Sequence, residues 1–355
     1  MKICFLADGP SIHTRRFCTH FASRGHEVLL ITFRETQIDG VAVYYIDAGK
    51  RNLSGGKWRV LLKTGAVKRI LKQTRPDILH ALYATSHGMV GALTGFHPYV
   101  VTALGSDVLI APQRSVIYKM LVGHVLKRAD WITVMAEHMR SVMISIFGKA
   151  EKISVVPFGV DPAVFNTEGP GSRVGFTVIS TRNFEQIYNI PMFLKAMAIV
   201  KNRIPGLKIW LAGDGSRKQE VVSLTHQLGL DGCVLYGSVP QVRLAELLRS
   251  AHVFVSVSFS DGNNVSLNEA MACGALPVVT EIPANTQWVT EGKNGFLVQP
   301  NDVDKLAERI VFCHSNYSEL ARKWIPENRR IVEERANWHR NMQIVEDQYK
   351  KLVKK

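Results

Sequence analysis

Long apolar runs are missing from this chain. No stretch approaches the roughly 18 apolar residues that a membrane span needs, and the apolar run in Met1–Asp8 is too short for a signal peptide. A protein without spanning segments, in the cytoplasm, is the expectation. Cysteine is sparse and scattered: Cys4, Cys18, Cys233, Cys273 and Cys313 are odd in number and form no C-x-x-C pair. That excludes a complete disulfide framework and a paired-cysteine zinc site, and it suits buried thiols in a reducing compartment. H-E-x-x-H, a short fixed repeat and low-complexity tracts are absent as well. No metal and no cofactor are expected.

The first half also lacks acid. Residues 1–160 hold 21 Lys+Arg and 10 Asp+Glu, and residues 161–355 hold 23 and 20, so nets of +11 and +3 make up the +14 of the whole chain. From Ala48 to Pro76 there are nine basic residues (Lys50, Arg51, Lys57, Arg59, Lys63, Lys68, Arg69, Lys72, Arg75) and no acidic one. Apolar residues at Trp58, Leu61, Leu62, Val67, Ile70 and Leu71 fit a helix from Trp58 to Leu71 with an apolar stripe and a cationic surround. Three readings stay open for it: a solvated helix face, contact with an anionic membrane through 50–75, or nucleic-acid binding. No recognised nucleic-acid motif accompanies the charge, so nucleic acid is not an expected partner.

What is present is a regular alternation of short apolar strands and helical stretches, an α/β pattern. At 355 residues the chain exceeds what one core usually supports, and two domains follow. Strands are expected at 2–7, 28–33, 42–46, 78–81, 99–102, 131–134 and 153–156, then at 176–180, 207–212, 233–236, 253–257, 276–279 and 296–298. The polar stretch Asn166–Arg173 is the expected hinge. Ligands of open α/β sheets bind in the loops leaving the carboxyl ends of strands. Those loops supply the candidates Gly9 and His13 after the first strand, then Gly105, Ser106 and Asp107, Arg182, and Gly237, Ser238 and Val239, while His80, within the strand 78–81, could face the cleft. Only one glycine stands in the first loop, so the dinucleotide fingerprint is missing. His13 reads equally as a ligand contact or a structural residue at a helix start. Gly105–Asp107 read as a cleft rim or as a turn with a cap. Asp302-Val-Asp304 opens a helix and is read as a cap rather than a metal pair. Glu333–Leu352 reads as one long terminal helix.

The densest stretch is Ser258–Gly274, SFSDGNNVSLNEAMACG, between two apolar runs. It reads as strand, loop, helix, strand. A helix start here would aim free N–H groups and a partial positive charge at a phosphate, with Asn263, Asn264, Val265 and Ser266 in the loop. Asp261 and Glu269 bracket that loop with seven residues between them. A plainer reading makes Ser266-x-x-Glu269 a capping box and Asp261-Gly262 an ordinary turn.

This segment, with Leu276–Thr280 and Asn294–Val298 behind it, resembles the donor-binding signature of the family 4 (group 1) retaining glycosyltransferases. Arg24–Val28 and Thr102–Val108 are similar to further stretches of that family. The resemblance implies the GT-B architecture, two doubly wound Rossmann-like domains facing a cleft, with the C-terminal helix crossing back to the N-terminal domain. It implies an acceptor-binding domain over 1–165, a donor-binding domain over 173–335 and a terminal helix over 336–355. It further implies transfer of a sugar from a UDP- or GDP-type donor to a glycan or lipid-linked acceptor, with retention and without a metal, as in cell-surface polysaccharide or glycolipid synthesis. Arg182 would hold the donor diphosphate, Asp261 the sugar hydroxyls and Glu269 the ribose, while 237–239 would flank the base. Three positions depart from the family: Asp261 replaces a glutamate, Leu104 a histidine near the transferring sugar, and Tyr188 a lysine that partners the arginine. A catalytically weak relative that binds the donor or scaffolds another enzyme is the alternative.

Overall fold

The computed structural model describes residues 1–49, 58–148 and 150–354, save the side chains of Trp58 and Arg114. Two compact units result, Met1–Val156 with Gln343–Lys355, and Pro157–Met342.

In unit 1 the chain runs β1 (Lys2–Leu6), α1 (Ile12–Ser23), β2 (Glu27–Thr32), β3 (Ala42–Tyr45), α2 (Thr64–Thr74), β4 (Ile78–Leu82) and α3 (His87–Thr94). It continues with β5 (Tyr99–Thr102), α4 (Ser106–Leu109), α5 (Ala111–Arg114), α6 (Val116–Arg128), β6 (Trp131–Val134), α7 (Glu137–Phe147) and β7 (Ile153–Val155). The strands form one parallel sheet in the order β3-β2-β1-β4-β5-β6-β7. Every residue of β4, β5 and β6 is buried, as a parallel sheet covered on both faces requires.

Unit 2 repeats the plan with β8 (Thr177–Ser180), α8 (Ile190–Lys201), β9 (Lys208–Leu211), α9 (Lys218–Gln227), β10 (Val234–Leu235), α10 (Gln241–Ser250), β11 (Val253–Ser256) and α11 (Val265–Ala272). β12 (Leu276–Thr280), α12 (Pro283–Thr286), β13 (Phe296–Val298), α13 (Val303–Ser315), α14 (Tyr317–Arg335) and α15 (Trp338–Val353) follow. The sheet order is β10-β9-β8-β11-β12-β13, again parallel throughout. Each unit therefore reverses direction beside its first strand, at β1/β4 and at β8/β11. That reversal leaves a crevice at the carboxyl edge.

Three details differ from the sequence reading. The segment from Pro157 onward, expected to close the first domain, belongs to unit 2. Val160 and Phe165 are buried in that unit's core, and Val160 exchanges backbone hydrogen bonds with Ala336 (2.7 Å) and Trp338 (3.0 Å). Those same bonds break the expected long terminal helix in two, since the Ala336 carbonyl and Trp338 amide bond to Val160. The cationic stretch is likewise not one helix: a 3₁₀ turn over Trp58–Lys63 precedes α2. Its Lys50, Arg51 and Lys57 lie outside the described residues.

α15 belongs to both units, its residues from Gln343 on counting with unit 1. There Tyr349 is fully buried and its hydroxyl meets His80 Nδ1, whose Nε2 bonds Thr102 (2.7 Å). Tyr349 also packs on Phe21, with ring centroids 5.3 Å apart. Glu346 pairs with Arg24 and, at 2.7 Å, with Lys350. His80, expected among the ligand-facing candidates, is thus an internal fastener. Burial pushes its pKa down to about 3. No helix among the described residues is long and apolar enough to cross a membrane.

Candidate active site

At the β8/β11 reversal of unit 2, two loops and the start of α12 bring together a cation, an anion and Asn263, Asn264 and Asn285. Thr181-Arg182 leaves β8, and residues 257–264 lead from β11 into α11. The Arg182 guanidinium donates to Asp261 Oδ2 (2.6 Å), to Asn264 Oδ1 (2.9 Å) and, at 3.5 Å, to Ser266 Oγ. Its flat face lies 4.1 Å from the centroid of the Tyr188 ring, in the turn that precedes α8. The Arg182 and Asp261 side chains are only 8% and 15% exposed, so this ion pair stands largely out of water. Such a pair keeps its geometry because either charge alone would be costly there.

Asn264 is the hub. Its Nδ2 donates to Ser256 Oγ (3.0 Å) and Asn285 Oδ1 (2.9 Å), and its Oδ1 accepts from Arg182 and from the Leu267 amide (3.1 Å). Two donors and two lone pairs are the whole capacity of an amide side chain, and all are used. The Leu267 bond makes Asn264 the N-cap of α11. The capping-box reading of Ser266 and Glu269 is therefore corrected: the cap lies two residues earlier, and Ser266 and Glu269 sit inside the helix, three apart and on one face. Glu269 is buried, 8% exposed. Asn285 in turn donates to the Thr280 carbonyl (2.8 Å), tying β12 to the same loop. Asn263 accepts from Trp288 Nε1 (2.9 Å), which pins the loop from behind. Sequence reasoning named Asn264 only as a loop residue and overlooked Asn285. An asparagine ahead of an apolar run is a cap signal, but Asp261, Asn263 and Ser266 carry the same signal and hide it.

Buried Arg182 Nε and both side-chain polar atoms of Asn268, four residues after the cap, lack hydrogen-bond partners among the described residues. Buried polar groups are rarely left so outside functional sites. Gly213 explains the closeness of the next loop: a Cβ there would collide with the Arg182 carbonyl. Gly237, Ser238 and Val239 follow β10, two strands from β8 on the same edge, with Gly237 at φ +66°.

The unit 1 candidates have other surroundings. Gly9 is buried, its amide donates to Thr32 Oγ1 (3.0 Å), and a Cβ would collide with Thr36. His13 is half-buried; burial, then Arg16, pushes its pKa down to about 4, so the ring is neutral at pH 7. Gly105 holds φ +134°. Ser106 is exposed and hydrogen-bonded to Tyr83 Oη (2.7 Å). Asp107 is fully buried, and its carboxylate accepts from the amides of Ala84 (2.6 Å), Gly105 (2.9 Å) and Leu104 (3.1 Å). It braces two loops, which is the turn reading of the two open for it and not the cleft-rim one. Asp302 caps α13, accepting from the Lys305 amide at 2.9 Å. Four cysteines are buried and Cys233 is half-buried, all free; burial pushes Cys18 up to about 12.

Residues 174–331 match the family model described as glycosyl transferases group 1, and residues 2–136 match glycosyl transferase 4-like. N-acetyl-alpha-D-glucosaminyl L-malate synthase of Bacillus anthracis is 22% identical over 337 residues, covering 86% of each chain. Among solved structures, a sucrose-phosphate synthase from Thermosynechococcus elongatus superposes with TM-score 0.85 at 19% identity, over 99% of each chain. HepE of Anabaena, crystallised with UDP-glucose, gives TM-score 0.81 at 19% identity, over 99% of this chain and 100% of that one. Both are GT-B structures, and this chain has their fold.

Proposed function

Since the chain belongs to the group 1 glycosyltransferases, we propose that it takes a sugar from a nucleotide diphosphate donor held on unit 2 and passes it to a glycan or lipid-linked acceptor held on unit 1. The observation that carries this reading is the Arg182 guanidinium at the β8/β11 reversal, beside the capped start of α11. A departing diphosphate builds up negative charge, and preorganised donors aimed at that charge are the largest usual source of acceleration. Arg182 would hold two phosphate oxygens in its planar fork. The amides at 263–266 and the positive end of α11 would share the charge. Asp261, one oxygen of which steadies Arg182, would meet sugar hydroxyls with the rest of its carboxylate, and Glu269 would take the ribose. Gly237–Val239 would flank the base.

We read the transfer as retaining and metal-independent. The leaving phosphate assists the incoming acceptor on the same face, and Arg182 supplies the counter-charge. The basic segment 50–75 would face an anionic membrane on its cytoplasmic side, which suits a lipid-linked acceptor in cell-surface polysaccharide or glycolipid synthesis. HepE, bound to UDP-glucose, supports a uridine donor. The rival is a relative that binds donor without transfer, favoured by the Tyr188 ring where a second cation would help.

The test is a thermal-shift panel of UDP-, GDP- and ADP-sugars followed by product analysis, since a ligand binding only the native state raises its melting point. One sugar nucleotide should raise Tm and be consumed in a lipid-extract assay. Failure of all of them would refute the proposal. A shift without product would favour the rival.

A further inference from the structure

In unit 1 the loop after β4 carries a backbone conformation that its residue type disfavours. Tyr83 holds φ +88°, a region that a bulky side chain enters only when its surroundings force it. Its amide donates to the Thr102 carbonyl (2.9 Å), and its own carbonyl accepts from the Gly88 amide (2.9 Å). The next amide, of Ala84, is held by Asp107 (2.6 Å). Glycine suits position 88, because a Cβ there would stand 3.0 Å from the Tyr83 carbonyl oxygen. Strain that so many bonds keep in place clusters at ligand clamps and switch regions, where a side chain is aimed against its own backbone preference.

The side chains aimed by this loop are aromatic. The Tyr83 hydroxyl meets Ser106 Oγ at 2.7 Å, beyond β5. At the other end of the loop, His87 stacks on Phe33, with ring centroids 5.6 Å apart and planes 22° from parallel. Phe33 directly follows β2, and β1 lies between β2 and β4 in the sheet. The ring pair therefore reaches across the carboxyl end of β1, beside the reversal of unit 1. Tyr83, Phe33 and His87 are half-buried and Ser106 is exposed. This edge thus presents ring faces and a pair of hydroxyls, set by a loop that cannot relax.

Charge beside that edge cancels. The loops after β1 and β2, with the start of α1, contain Arg15, Arg16 and Arg34 against Asp8, Glu35 and Asp39. Asp8 and Arg34 pair at 3.0 Å, and Arg15 donates to the Thr36 hydroxyl at 3.2 Å. Residues 83–87 include no Asp, Glu, Lys or Arg. A phosphate or carboxylate would find no surplus of cations here. A pyranose ring fits better. Its weakly positive C–H bonds lie against the negative face of an aromatic ring, and its hydroxyls exchange hydrogen bonds with those of tyrosine and serine.

We propose that the acceptor presents a neutral sugar ring to unit 1, that the Phe33–His87 pair lies against its C–H face, and that Tyr83 and Ser106 take its hydroxyls. This rests on the transferase function proposed above and narrows it: the glycan or lipid-linked acceptor is recognised through an uncharged glycosyl residue. Tyr83 and Phe33 are then specificity-determining residues, and the strained turn fixes one relative to the other.

The test is saturation-transfer difference NMR on the full chain without nucleotide. The probes are methyl and octyl glycosides of glucose, galactose and mannose, with glycerol 3-phosphate as the charged comparison. Ring protons of at least one glycoside should receive saturation, and those of glycerol 3-phosphate should not. Phe33→Leu should raise the apparent Kd by about threefold to tenfold through loss of the ring face. Phe33→Tyr keeps that face and should bind as wild type does. Tyr83→Phe should cost a similar factor, about threefold to tenfold, through one lost hydrogen bond, with Tm unchanged. An octyl glycoside bound more tightly than its methyl partner would identify a lipid-linked sugar and equal binding a glycan end, and either supports the proposal. Absence of glycoside binding overturns it, as does glycerol 3-phosphate binding as well as any glycoside. Wild-type glycoside affinity in both Phe33→Leu and Tyr83→Phe overturns it too. Sugar-nucleotide thermal shifts report on unit 2 alone, so loss of the transferase reading and loss of this one are seen separately.

Discussion

Both units place their strands in one order, with the first strand beside the fourth, and both leave a crevice at that reversal. They furnish it differently. In unit 2 the loops after β8 and β11 hold a largely buried ion pair, Arg182–Asp261, whose geometry an asparagine hub dictates. In unit 1 the loops after β1 and β4 hold Gly9 on Thr32, Asp8 in a half-exposed pair with Arg34 at 3.0 Å, and Ala84, whose amide donates to the brace Asp107 beyond β5. Charge is built in at one crevice. At the other, polar groups mostly hold the backbone in place. The same strand order thus carries a fixed ion pair in one unit and a backbone-braced surface in the other, which is what the proposed common donor and variable acceptor would ask of two halves.

The hardest blow to this contrast is Arg182→Ala. It removes the proposed diphosphate contact and leaves Asp261 buried beside no cation. Donor-dependent turnover should fall by about 10²–10³, and stability by about 3–5 kcal/mol, as for a broken buried pair. Steady-state rates and urea melts check the two. If turnover persists, unit 2 is not the charged receptor.

Asn264→Ala comes next. It deletes the α11 cap, usually worth about 1 kcal/mol, and strips partners from Arg182, Ser256 and Asn285. A loss of about 2–3 kcal/mol is expected with weaker donor binding, seen by calorimetry. In unit 1 the parallel change is Asp107→Asn, which keeps one acceptor oxygen and sets an N–H₂ group against the amides that the other oxygen served. Leaving a buried donor unmet costs about 1–3 kcal/mol. Unit 2's nucleotide-induced thermal shift should be untouched. A matching loss of donor affinity would erase the distinction between the two crevices.

Much of this was readable before the fold. The thirteen strands of the described residues and the importance of 258–274 follow from apolar runs and loop chemistry, because parallel strands buried on both faces leave unbroken hydrophobic segments, while the doubly wound order came from the family resemblance. The cap of α11 was not readable: Asp261, Asn263, Asn264 and Ser266 can all cap, and only the path of the loop chooses. Asp107 read as either rim or turn residue because a turn acid looks the same whether its carboxylate points out or in. The break at Ala336 depends on Val160, distant in sequence, and no local pattern carries it. His80 sits in a continuous apolar strand, a hint that it faced the core, yet its partner Tyr349 lies on the last helix.

That last helix gives a pH test confined to unit 1. Burial pushes the Glu346 carboxyl up, but hydrogen bonds from Lys350 and Arg24, with their charges, outweigh it and hold the pKa at about 2, against 4.5 ordinarily. A depressed carboxylate contributes stability that is complete above the unfolded pKa and is lost as pH falls through the folded one. Unit 1 should therefore weaken between about pH 4.5 and 2, by roughly 1–2 kcal/mol once screening of the exposed Arg24 and Lys350 is allowed for. In Glu346→Gln, circular dichroism melts should show a smaller fall over that window. An identical fall would place the acid sensitivity elsewhere.

The finest distinction concerns Tyr188, whose ring covers the guanidinium in unit 2 and stands where related chains are expected to carry a lysine. A ring over a partly desolvated cation is worth about 0.5–2 kcal/mol. Tyr188→Leu should lose that much stability and leave Arg182 freer to move, with a modest loss of donor affinity. Tyr188→Lys should behave oppositely in the two states: two neighbouring cations repel in the free protein and lower Tm, whereas an added diphosphate gains a second partner and raises the ligand-induced shift above wild type. Differential scanning fluorimetry with and without the sugar nucleotide separates these cases. A lysine variant with no larger shift than the leucine variant would mean that the phosphates do not lie over this ring, and that Arg182 meets its anion from another side.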